Sequence, residues 1–157
     1  MTMTLILAFA IGVVAGLRSM TAPAIAAWAA RLAWIDLAPT PLAFLGSAVA
    51  TYILTAFMVA ELVADKLPRT PNRTALGPFV ARILTGGLAG AALTAGVGQS
   101  LLVGAILGAL GGIAGAFGGY RARTGLVRAL KVPDYVVAVI EDIVAVGGAI
   151  LIMQTVS

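Results

Sequence analysis

The chain has neither cysteine nor histidine. That excludes disulfides and thiolate nucleophiles, and it removes the usual transition-metal ligands. It also removes the side chain whose ordinary pKa lies nearest neutral pH. Any proton chemistry falls to Asp, Glu or Lys. Charge of either sign is scarce: ten cations and six acids in 157 residues, against 61% hydrophobic residues. A soluble domain of this length has no interior large enough to hide so much apolar surface. No long hydrophilic segment is present either, so an appended soluble domain is not expected, and the chain reads as one transmembrane domain over 1–157.

What is present is a series of long uncharged runs. Residues 42–60 carry no charge, nor do 83–120. About 18 or more such residues make a transmembrane helix candidate. The expected fold class is all-α, a polytopic membrane helix bundle of about five spans.

The first span is expected over 3–17. It resembles a signal-peptide core but lacks the positive flank of one, so it reads as a retained span. A second apolar piece runs from Ala22 to Trp34, opened by Pro23, with Thr21 as its expected cap. One helix through 3–34 would be about 48 Å long, beyond a hydrocarbon core of roughly 30 Å. The stretch is therefore expected to break between Arg18 and Pro23. Its second arm is either an interfacial helix or the return arm of a re-entrant hairpin. Trp28 and Trp34 point to headgroup level. Asp36 to Pro41 reads as a turn and 42–66 as span two. The segment Lys66 to Thr74 is polar, stiff and non-helical, with Pro68 and Pro71. Spans three to five are expected over 78–97, 101–120 and 134–155, with Tyr120 to Lys131 as a loop or short interfacial helix. The link at Gly98-Gln99-Ser100 requires an antiparallel hairpin.

The net charge is +4. Its carriers sit in short loops, which points to orientation and anionic lipid headgroups rather than nucleic acid. Lys66, Arg69, Arg73, Arg121, Arg123, Arg128 and Lys131 fall on one face. The positive-inside rule puts that face in the cytoplasm. The GLRS at the end of span one and the GGYRAR at the end of span four hint at a weak inverted repeat, a device common in transporters.

Glycines form rows: Gly86-Gly87 and Gly90 in span three, then Gly104, Gly108, Gly112 and Gly111, Gly115, Gly119 in span four. Such rows let backbones approach, within the chain or across a homodimer. Four of the acids lie in or beside spans. Glu61 and Asp65 share a helix face near the boundary, with Lys66 and Arg69 close enough to neutralise them. Glu141 and Asp142 interrupt an apolar span, where a carboxylate costs several kcal/mol unless paired or wetted. Arg82 is their expected partner, and Arg18 the second candidate. Arg18, Ser19 and Thr21 form a polar tip at the helix break. The candidate site is thus Arg18, Ser19, Thr21, Glu61, Asp65, Arg82, Glu141 and Asp142. No catalytic constellation, metal spacing or cofactor motif appears, so neither an enzyme nor a cofactor is expected.

The strings GLRSMTAPAIAAWAA, AELVADKLPRTPNRT, FGGYRAR and VIEDIVAVGG resemble a bacterial family of small multi-pass membrane proteins filed as domain of unknown function 4126. The resemblance covers nearly the full chain. It implies a class and a location, and no mechanism. The leading expectation is a small transporter or channel-like carrier for an ion or polar solute, working as a dimer among membrane lipids. The alternative is a non-transporting interaction, assembly or lipid-binding protein.

Overall fold

The computed structural model describes residues 2–67 and 75–157. Every regular element among them is helical: α1 Thr2–Leu17, α2 Thr21–Arg31, α3 Ala48–Ala64, α4 Leu76–Ala95, α5 Leu101–Leu130 and α6 Asp134–Thr155, with a 3-10 turn at Ala43–Gly46. Lipid offers no partner for an open backbone N–H or C=O, so helices are the available solution. Three of these, α4, α5 and α6, are long and apolar enough to cross a bilayer; α1 and α3 are shorter apolar helices.

The helices alternate in direction. Gly12 and Gly16 of α1 lie against Gly108 and Gly112 of α5 in the same order, so α1 and α5 are parallel. Gly86 and Gly90 of α4 meet Gly108 and Gly104 in reverse order, so α4 is antiparallel to both. Consequently the GLRS and GGYRAR ends lie on one face of the bundle rather than on opposite faces. Gln99 donates to Thr4 at the far end, which puts the α4–α5 hairpin beside the start of α1. Gly98 turns that hairpin with φ +70°, a conformation glycine adopts freely.

The core of α1, α4 and α5 is packed largely backbone to backbone. A Cβ added at Gly16 would lie 2.5 Å from the Gly112 carbonyl oxygen, and one at Gly86 would lie 2.6 Å from that of Gly108. The two rows of α5 serve different neighbours. Gly104, Gly108 and Gly112 face α4, whereas Gly111 and Gly115 face α1. Close approach of this kind gives helices in lipid their dispersion contacts.

Several expectations are corrected. The segment Tyr120 to Lys131 is not a loop: α5 runs unbroken to Leu130 and stops where Lys131 enters the left-handed region at φ 53°. Arg, Ala and Leu are good helix formers, and no proline interrupts them. Span two does not begin at 42. The 3-10 turn comes first, then Ser47 caps α3 by accepting from the Ala50 N–H at 3.1 Å. Thr21 is not a cap; it is the first residue of α2, which Met20 precedes without a side-chain cap. The second arm is no interfacial helix. Its residues 21–27 and Ala29 are buried, and Trp28 donates to Thr55 of α3 at 2.9 Å. Beyond it Asp36 N–H bonds Gly96 O at 3.1 Å, at the far end of α4. The α1–α2 unit is therefore a hairpin packed into the bundle. The expectation of a stiff segment falls mainly on residues 68–74, which lie outside the described residues, as do Arg69 and Arg73.

Candidate functional site

The hairpin tip, Arg18-Ser19-Met20, interrupts two helices at the basic end of the bundle. A break leaves the last carbonyls of α1 and the first N–H groups of α2 without intrahelical partners. Both ends are supplied by side chains from other helices. Arg82 of α4 donates from Nε to Gly16 O at 3.0 Å and from Nη1 to Pro78 O at 3.0 Å. Glu61 of α3 accepts from the Ser19 N–H at 2.8 Å, the Ser19 hydroxyl at 2.9 Å and the Met20 N–H at 2.7 Å. A cation thus closes the C-terminus of α1 and an anion the N-terminus of α2, the signs the helix dipoles favour. Arg82 and Glu61 also approach each other at 3.8 Å.

Arg18 itself turns inward and is completely buried. Its Nε donates to Asp142 at 2.6 Å, its Nη1 lies 2.7 Å from Asp65, and its Nη2 lies 3.6 Å from Glu141. One guanidinium therefore ties α1 to the end of α3 and to the second and third turns of α6. Arg123 of α5 meets the same Asp65 oxygen at 2.6 Å, lies 3.4 Å from Glu141, and forks onto Asp134. Lys66 bonds Asp142 and the Leu62 carbonyl. Planar guanidinium forks suit this sharing of carboxylates.

Of the expected residues, Arg18, Asp65, Glu141 and Asp142 form the centre of the cluster. Ser19, Glu61 and Arg82 form its rim at the helix break. Thr21 is buried beside them, and its hydroxyl has no hydrogen-bond partner among the described residues. Two assignments change. The place expected of Arg82, opposite Asp142, is held by Arg18, because the hairpin tip reaches further into the bundle than the side of α4 does. Lys66 serves Asp142 rather than neutralising Glu61 and Asp65. The sequence reading missed Arg123 as a member. A signal existed: residues 111, 115, 119 and 123 share a four-residue spacing, so Arg123 continues the α5 row that faces α1.

Among the described residues, four cations and five carboxylates meet here, joined by the ion pairs just described. No group of acids among the described residues is arranged to hold a metal ion. The arrangement can fasten helices together.

A helical bundle with long apolar helices and buried ion pairs at one end defines a multi-pass membrane protein. Its family can be stated as well. The chain belongs to the family described as Domain of unknown function (DUF4126), whose model matches residues 5–155. No curated protein and no solved structure matches the chain.

Proposed function

We propose that this protein is a non-transporting membrane protein of the interaction or assembly class. Its basic end would lie in the cytoplasm of the bacterial inner membrane. The observation that carries this reading is the closure of the charge cluster. Arg18 is wholly enclosed by Asp65, Glu141 and Asp142, and these acids are further met by Arg123 and Lys66. The cluster sits at one end of the bundle, while secondary transporters place their sites near the bilayer midplane. Between it and the far end, α1, α4 and α5 touch through glycine backbone. The positive-inside rule supports the sidedness, since Lys66, Arg121, Arg128 and Lys131 gather at the end opposite Gln99. Membrane lipids are the partners this reading requires. Because α1 and α4 occupy the glycine rows of α5, a homodimer would not meet through those rows.

The second reading is the small carrier for an ion or polar solute. The Thr21 hydroxyl, buried without a hydrogen-bond partner among the described residues, favours it. Proteoliposomes separate the two. The expected result is no protein-dependent flux of protons, sodium or potassium, while Glu141→Gln and Asp142→Asn only lower stability. Saturable flux that either variant abolishes while remaining folded overturns the assembly reading.

A further inference from the structure

The last part of α5 is longer than its bundle role requires. Thirty residues rise about 45 Å, against a hydrocarbon core of roughly 30 Å. Glycine contacts hold Gly104 to Gly115 against α4 and α1. Arg123 marks the level of the ion cluster. Thr124 to Leu130 continue past it.

This end of α5 is cationic and contains no acid. Arg121 and Arg128 are seven residues apart and share a helix side; Lys131 follows at the terminus. All three are exposed, and no side chain of the three bonds or pairs with a described residue. Arg123 behaves differently, being turned onto Asp65, Asp134 and Glu141. Leu126 and Leu130 are also exposed, at 45% and 58%. Free cations and uncovered leucines thus share the last turns of a helix that has just left the hydrocarbon.

We propose that the exposed end of α5 binds anionic phospholipid, with Arg121, Arg128 and Lys131 on the headgroup phosphates. Charge complementarity and depth select this occupant. Cations held near the surface of an anionic leaflet each strengthen association by roughly fivefold, so three act by about a hundredfold. The site stands whether or not the bundle moves a solute.

The test uses the full chain in nanodiscs of phosphatidylcholine, with or without phosphatidylglycerol. Lipid retention is read by native mass spectrometry and unfolding by tryptophan fluorescence. Wild type is expected to retain phosphatidylglycerol selectively and to unfold at a higher temperature in the anionic discs. The triple variant Arg121→Gln, Arg128→Gln, Lys131→Gln is expected to lose at least tenfold of that selectivity, while unfolding like wild type in phosphatidylcholine alone. Arg128→Gln alone serves if the triple variant is unstable, with an expected loss of about fivefold. Arg31→Gln, at the other end of the bundle, should change nothing. Undiminished selectivity in the variants overturns the proposal. So does an equal stabilisation of wild type by inorganic phosphate in neutral discs.

Discussion

Replacing Arg18 with Gln tests the centre of the molecule directly. The side chain is fully buried and contacts three carboxylates, two of them at 2.6 and 2.7 Å. Removing one partner of a buried pair typically costs about 3–5 kcal/mol, because the remaining charge is left without compensation. Here the loss is partly offset. Arg123 still meets Asp65 and Glu141, and Lys66 still meets Asp142. The expected destabilisation is therefore at the lower limit, about 3 kcal/mol. Asp142→Asn keeps an oxygen for Arg18 and should cost about 1–2 kcal/mol. In the double variant the shared interaction is already gone, so the costs should fall short of their sum by about 1–2 kcal/mol. Reversible unfolding in mixed micelles, followed by the fluorescence of Trp28 and Trp34, measures all three. A cost below about 0.5 kcal/mol for Arg18→Gln, the range of an ordinary surface change, refutes the cluster as a fastening. Strict additivity in the double variant refutes the direct Arg18–Asp142 link.

The glycine core supplies a matched pair. An Ala side chain at Gly108 would meet the backbone of Gly86, so α4 and α5 must separate and the melting temperature in detergent should fall steeply. Gly118→Ala meets nothing within 4 Å and should stabilise by about 0.5–1 kcal/mol, as removing a mid-helix glycine does. Glu61→Gln removes the charge at the start of α2 and leaves only one of the two oxygens that accept from Ser19 and Met20, and should cost about 1–3 kcal/mol in the same unfolding assay. Direction can be read by labelling, since the chain has no cysteine of its own. Cysteines introduced at Gln99 and Ser157 should react with an impermeant thiol reagent from one side of the membrane, and one at Lys131 from the other. Labelling of all three from the same side would contradict the alternation of the helices.

Much of this architecture was legible because lipid imposes simple rules. The absence of charge over 83–120 marked two helices and the short link at Gly98 marked their hairpin. The spacing of the α5 glycines gave two faces, and those faces meet α4 and α1 separately. The break after Leu17 followed from length alone. What failed to read out was the reach of side chains across the bundle. Arg82 was the natural partner of Asp142 by depth, yet depth says nothing of azimuth, and Arg18 arrives from the hairpin tip instead. Four cations between Tyr120 and Lys131 looked like the end of a span. Arg123 is instead neutralised by Asp65, Asp134 and Glu141, so the charge did not end the helix. Spacing marks the side of α5 that Arg123 faces, but the acids it meets lie on other helices and leave no periodic trace of the pairing.

The distance along the chain between Arg18 and Asp142 has a consequence for biogenesis. Their bond joins residues 124 positions apart, so Arg18 emerges from the ribosome long before α6 exists. Until then Asp65 is the only one of its carboxylates that has been synthesised. Glu141 and Asp142 become available to Arg18 only once the final helix has been made. A chain truncated after α5 lacks Glu141 and Asp142 and should be more sensitive to protease than the full chain.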